Sequence, residues 1–439
     1  RRLDQAPDTG SDQFSGGANY WLGAYEKPAS AFWWLFYYWG PEKFDGAMQA
    51  YFKQWQFRHP RPEDLQESLE TYSGEDLSWL FRGLLYSTQH PDYAIKGYRQ
   101  TGNTWSIDLV NKGEIAPPVP LQGLSRDSVV NQQWIKGFSG DTTISFAGGP
   151  YDQFVLDHFG QTLDVNRKNN TIKTKGLFKK LPPFRAVPLA RVENEAYTSL
   201  YWLPMAGWNA YDGFQAGLLL HNRTLPWKRF EFDLLPLYGV QSKSFTGLGN
   251  VDYHWYPGAG PFQNITAGLN FRTFHFERKA AMAYDLQYSR WQPSLSAELR
   301  RPAAATFHHR LQYRLIRLNI ERPYIGREEG FVGTGKNRST IHEWSYSGEK
   351  KHSLHPFRFV LAIEQQSYTD VFDRRERYLK WSLDWQSKLA YNIDKYFYAR
   401  IFTGGFLQNT RRNAGAISLG AFSLIDQAAM DYRHDDFYF

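Results

Sequence analysis

The residues best suited to chemistry lie near the start of the chain, in Tyr20-Trp-Leu-Gly-Ala-Tyr25-Glu26-Lys27-Pro28. A phenol with a pKa near ~10 is a neutral donor, so a rigidly held tyrosine can face an oxyanion without losing its proton. Tyr25 offers such a phenol, although on residue type alone it is one aromatic among many in this chain. The chain holds twelve histidines and no cysteine. Disulfides and thiolate metal sites are therefore excluded, and imidazoles and carboxylates are the remaining ligands. No His-Glu-x-x-His occurs. The closest imitation, His342-Glu343-Trp-Ser-Tyr346, has tyrosine where a second imidazole would stand, in a strand-like stretch that cannot place two ligands one helical turn apart. His308 and His309 fall on opposite faces of a strand, and His352 and His355 lie in a turn-like segment. These histidines read as surface or lumen residues, and no metal ligand is expected within this chain.

Helical elements must position Tyr25. Phe32, Leu35, Phe36 and Trp39 make one wide apolar face, closed by Gly40-Pro41. A second helix is expected from Pro41 to about Gln56, with Phe44, Met48, Tyr51, Phe52 and Trp55 on one side. Another follows the prolines of His59-Pro-Arg-Pro-Glu-Asp64. A fourth is expected to start at Ser73 as its cap, with Leu77, Leu80, Phe81 and Leu84 inward. Residues 91–172 read as a small β-sandwich, with a hairpin around Thr101-Gly-Asn103. Lys173 to Pro188 is basic and proline-bearing and reads as a linker within 173–194, able to lie at a membrane surface.

From residue 195 the pattern changes to alternation. Phe230, Phe232 and Leu234 alternate with Glu231 and Asp233. Val251, Tyr253 and Trp255 alternate with Asn250, Asp252 and His254. Met282, Tyr284, Leu286 and Tyr288 alternate with polar residues. Leu379, Trp381, Leu383 and Trp385 alternate with Lys380, Ser382, Asp384 and Gln386. A phase slip at Leu315-Ile316 suggests a β-bulge. Strands of about ten residues, apolar on one face and charged on the other, suit a transmembrane barrel of roughly a dozen strands, with residues 195–439 forming it. The formal charge of +7 is spread without a long Lys/Arg run, so nucleic acid is not an expected partner.

The Tyr25-Glu26-Lys27 triplet, His59-Pro-Arg-Pro-Glu-Asp64 and Ser73-Gly74-Glu-Asp76-Leu77-Ser-Trp79 together resemble the M1 family of zinc aminopeptidases, the gluzincins, downstream of their metal-binding helix. Val110-Asn111-Lys112-Gly113 and the Leu-Asp164-Val-Asn166-Arg-Lys-Asn-Asn170 phrase resemble the β-sandwich after the catalytic domain in that family. Trp208-Asn-Ala-Tyr211-Asp212-Gly213-Phe214-Gln-Ala-Gly217 and Tyr238 to Gly249 resemble surface-antigen barrels related to BamA, which are fused to M1-like domains in Bacteroidota. The resemblance implies a multidomain α+β chain: the helical part of a thermolysin-like peptidase domain (1–90), the sandwich (91–172), and an antiparallel transmembrane β-barrel (195–439). Asp431 to Phe439 would be a terminal or an internal strand.

It also implies an outer-membrane zinc metallopeptidase. Tyr25 would stabilise the transition state, the zinc ligands would lie upstream of Arg1 in a longer protein, and periplasmic peptides would be the substrates. The alternative is a catalytically inactive M1-like scaffold, its barrel acting as a subunit of an outer-membrane assembly or transport complex. A pore passing substrate through its lumen is the third reading. Peptide substrates, outer-membrane lipid and an outer-membrane protein complex are the expected partners.

Overall fold

The computed structural model describes residues 4–189, 192, 197–225, 227–279, 284–302, 305–326, 330–351, 354–392 and 395–410. The chain divides into two compact units, one spanning roughly residues 2–184 and the other the sheet that follows. Strands account for 55% of the structure and helices for 16%. This overturns the expected multidomain α+β class: among the described residues there is no clear α-helical peptidase domain, and the structure is mostly β. The helical motifs exist, but they occupy short elements, whereas each alternating segment became one long strand.

In the first unit, α1 (Gly17–Trp21) passes through a π-helical turn (Leu22–Glu26) into α2 (Lys27–Trp39). Then come α3 (Pro41–Trp55), α4 (Pro62–Ser73) and a second π-helical turn (Trp79–Leu85). Ser73 closes α4 instead of opening a helix. Gly74 at φ +69° takes the left-handed cap position, and the Ser73 hydroxyl accepts the Glu75 N–H at 3.2 Å. Leu77, Leu80, Phe81 and Leu84 are nonetheless buried together with Ala31, Trp34 and Leu35.

Seven strands follow: β1 (Tyr93–Thr101), β2 (Thr104–Asn111), β3 (Val119–Ser125), β4 (Ser128–Ile135), β5 (Gly140–Ala147), β6 (Gln153–Leu156) and β7 (Thr171–Lys173). They form sheets ordered β1-β2-β5 and β4-β3-β6-β7. Their shared core contains Trp105, Ile107, Leu121, Phe146 and Phe154. The conspicuous polar residues of this region are turn-makers. Asn111 donates to the carbonyls of Ile115 and Phe138, both at 2.8 Å, and accepts the Gly113 N–H. Asp164 accepts from the Tyr93 N–H at 3.0 Å, the Asn166 N–H at 2.9 Å and the Asn170 amide at 3.1 Å. Burial still pushes its carboxyl up to about 6 against those three donors.

The second unit is a 12-stranded sheet in sequential order, open among the described residues, with β8 (Phe184–Pro188) and β19 (Lys395–Asn409) at its edges. Between them lie β9 (Thr198–Asn209), β10 (Gly213–His221), β11 (Phe230–Gly239), β12 (Ser244–Trp255), β13 (Phe262–Lys279) and β14 (Tyr284–Leu299). The series continues with β15 (Phe307–Gly326), β16 (Gly330–Lys350), β17 (Phe357–Thr369) and β18 (Arg375–Asn392). β9 to β19 pair antiparallel, each with its neighbour in sequence. β8 falls within the stretch expected to be a linker. Met282 and Asp431 to Phe439 lie outside the described residues.

No β-bulge occurs at Leu315-Ile316. Leu315 pairs with His342 and Ile316 with Ile341 in unbroken register. The slip in the sequence pattern has another cause, an exchange of polarity between the two faces. Tyr284, Leu286 and Tyr288 face the same way as the charged residue Arg290 and are buried, so here the apolar set of the alternation is the inner one. The bulges that do occur include one in β13 between His275 and Glu277.

Candidate functional site

Tyr25 sits on the π-helical turn between α1 and α2. Such turns widen the helix by one residue and recur at functional positions. Buried Gly23 lets the turn close on Phe14, whose ring would be 2.8 Å from a Cβ at that position. Half the Tyr25 side chain is exposed. Its hydroxyl lies 3.2 Å from that of Tyr20, with the two rings edge-on, and its ring stacks on Trp21 at 5.3 Å. The hydrogen bond with Tyr25 raises the Tyr20 phenol. Nearby, the Lys27 ammonium donates to the Ser87 carbonyl at 2.8 Å, and His90 meets Asp4 at 3.1 Å.

Among the described residues no three His, Asp or Glu side chains come together to hold a metal ion. In the His342-Glu343-x-x-Tyr346 stretch, neighbouring residues point to opposite faces of β16. His342 pairs with the Tyr313 hydroxyl at 2.8 Å on one face, while Glu343 meets Arg314 on the other. His309 bonds the Tyr346 hydroxyl at 2.6 Å.

A long polar row is one arrangement that sequence reading did not assemble. Register places Glu231, Asp252, Gly268, Ser294, Arg314, Glu343, Glu364 and Lys380 in a single cross-strand row from β11 to β18. Directly opposed residues of antiparallel strands share a face. Glu364 is 1% and Lys380 4% exposed, although the described residues of this unit supply only one sheet. Both side chains are thus covered on this face. The two adjacent glutamates would repel each other, and a cation on each outer side offsets this. Arg314 donates to Glu343 through Nε at 2.8 Å and Nη2 at 2.6 Å. Lys380 sits 3.1 Å from Glu364, which also accepts from the Tyr378 hydroxyl. Glu231 and Lys380 were visible as polar-face charges in the sequence. Their membership in one row required the register.

The opposite face carries Phe230, Tyr253, Ala267, Leu295, Tyr313, Trp344, Ile363 and Trp381 in the adjoining row. Tyr253 is 49%, Leu295 51%, Trp344 43% and Ile363 44% exposed. Burial is thus inverted relative to a water-soluble sheet, with charges enclosed and large apolar groups outside.

One end of the sheet is tied by Asp212. Its carboxylate accepts from Ser242 at 2.6 Å, Asn209 at 2.8 Å and the His275 ring at 2.7 Å. Three elements are joined: the β9–β10 turn, the β11–β12 turn and β13. Gly213, at φ +69°, and Gly239 leave the space, since a Cβ at either would strike Gln241 or Ser242. Burial alone would raise the Asp212 carboxyl, but the His275, Ser242 and Asn209 hydrogen bonds prevail and hold it at about 2. The glycine-rich phrases around residues 208–217 and 238–249 are these two turns.

No protein-family model matches the chain, and no curated protein matches it.

Proposed function

We propose that the chain is an outer-membrane β-barrel protein whose sheet stands in lipid, and that it serves as a subunit of an outer-membrane assembly or transport complex. The inverted burial carries this reading. Burying a Phe, Leu or Ile side chain fully is worth roughly 1.5–3 kcal/mol. A row of eight outward residues such as Phe230 to Trp381, repeated in neighbouring rows, is explicable where hydrocarbon covers it. The enclosed charges fit the complementary side, a polar interior. No helix among the described residues is long and apolar enough to cross a membrane, so strands would do the crossing. The helical and sandwich unit then offers a folded surface for partner proteins.

The test is to reconstitute the full chain into phosphatidylcholine vesicles with and without brominated acyl chains and record tryptophan emission. Trp255, Trp344 and Trp381 face outward. The bromolipid is expected to quench a distinct part of the emission that aqueous iodide does not reach. A chain that stays soluble without detergent and is quenched only by iodide overturns the proposal.

The peptidase reading remains tied to Tyr25. Under the scaffold reading, Tyr25→Phe in the native membrane complex leaves peptide hydrolysis at its background rate. A large loss of hydrolysis on that substitution would restore the enzyme.

A further inference from the structure

The exchange of polarity along the longest strands assigns the position of the membrane boundary. In β15 the outward residues are His309, Leu311, Tyr313 and Leu315, then Arg317, Asn319 and Glu321. Inward, the order is reversed: His308, Arg310, Gln312 and Arg314 give way to Ile316, Leu318 and Ile320. The neighbouring strands change at the same level. On β16 the outward face passes from Tyr346 and Trp344 to Thr340 and Arg338. On β17 it passes from Leu361 and Ile363 to Ser367 and Thr369, and on β18 from Leu383 and Trp381 to Arg377 and Arg375.

Beyond the change, the enclosed face carries its own apolar cluster of Tyr288, Ile316, Leu318 and Ile341, with Phe276 and Ile320 packed against it. The outward-facing ion pair Arg278–Asp285, at 3.2 Å, stands on the polar side. A water-soluble sheet has an apolar inside and a polar outside. A lipid-embedded one has the reverse. These strands contain both arrangements in register, with no bulge at the junction in β15.

We infer that hydrocarbon covers only the portion of the sheet on the Leu311 side of the junction, and that the Arg317 side projects into water with an apolar core of its own. This rests on the membrane reading above and makes it residue-specific. Strand lengths agree. β15 and β16 have 20 and 21 residues, about twice the roughly 9–11 needed to span a bilayer. The stretch from Phe307 to Leu315 alone supplies about that number.

Because the chain has no cysteine, single-cysteine variants report one position each. The experiment is a spin-label scan of outward β17 positions, Leu361→Cys, Ile363→Cys, Gln365→Cys, Ser367→Cys and Thr369→Cys, in the full chain reconstituted in phosphatidylcholine vesicles. Relaxation by oxygen is compared with relaxation by a water-soluble nickel chelate. Oxygen should dominate at 361 and 363 and the chelate at 367 and 369, with the ratio inverting across 365. Dominance of oxygen at all five positions overturns the boundary and leaves the membrane reading standing. Dominance of the chelate at all five overturns both. A parallel scan at Leu311, Tyr313, Arg317 and Asn319 guards against a β17 variant that fails to insert, and must invert between 313 and 317.

Discussion

Lys380 shows how much one enclosed side chain is asked to do. Its ammonium lies beside Glu364, which itself stands directly across from Glu343. Removing one partner of a buried ion pair leaves a charge that the surroundings no longer compensate, at a cost of about 3–5 kcal/mol. Lys380→Met should therefore lower the urea-unfolding stability of the detergent-solubilised protein by about 3 kcal/mol. Adding Glu364→Gln should recover most of that loss, because it also relieves the repulsion with Glu343. If the double variant is no more stable than the single one, the row is not coupled as described. Tyr25 is a contrasting residue, exposed and bonded only through its hydroxyl to Tyr20 among the hydrogen bonds described. Its phenol was legible from residue type, whereas its neighbours Tyr20 and Trp21 became partners only through the π-helical turn, which no periodicity announced.

At the scale of elements, the end of the sheet held by Asp212 should be sensitive to acid. The folded carboxyl sits at about 2, below the ordinary value of ~3.9. The unfolded state then binds the proton first as pH falls. The stabilisation is complete above about pH 4 and is lost as pH drops through about 2, amounting to roughly 2 kcal/mol. Asp212→Asn should unfold at a urea midpoint nearly independent of pH across that window, while the parent's midpoint declines. Equal slopes for the two proteins would remove Asp212 from the account. The strands themselves were readable: Phe230 to Leu234, Asn250 to Trp255 and Leu379 to Gln386 all lie in strands with the faces their alternation implied. The apparent bulge at Leu315-Ile316 was misread because alternation reports which residues are apolar, not which side is wet. Where the two faces exchange polarity midway along a strand, the pattern shifts phase while the backbone does not.

At the scale of the molecule, two compact units with separate cores predict two unfolding transitions. Asp164→Ala would leave the Tyr93 N–H and the Asn170 amide without their buried acceptor. A buried donor so stranded costs about 1–3 kcal/mol. Differential scanning calorimetry in detergent should show one transition shifted downward by this change and the other unmoved. A single transition that moves as a whole would mean the units unfold together. The helical motifs near the start of the chain suggested a larger α-helical share than the molecule has. Four-residue phrases such as Ser73-Gly74-Glu75-Asp76 fix turns, and turns are compatible with many architectures. The strands from β9 to β19, by contrast, follow from long segments whose period could not suit a helix, whereas β8 lies in the stretch expected to be a linker.

The enclosed row on β15 to β18 reads plus, minus, minus, plus, in Arg314, Glu343, Glu364 and Lys380. Such a sequence is a linear quadrupole: it has no net charge, and its two end-to-end dipoles point in opposite directions and cancel. Its potential fades far faster with distance than that of a single ion. Four adjacent strands about 4.8 Å apart make the row about 14 Å long, so the cancellation holds beyond that distance, while closer in a cation is drawn to the two central carboxylates. The same cancellation makes their mutual energy nearly blind to bulk salt, since screening acts on fields that reach the solvent. This stretch of the wall is built to be electrically silent at a distance and tightly held at close range.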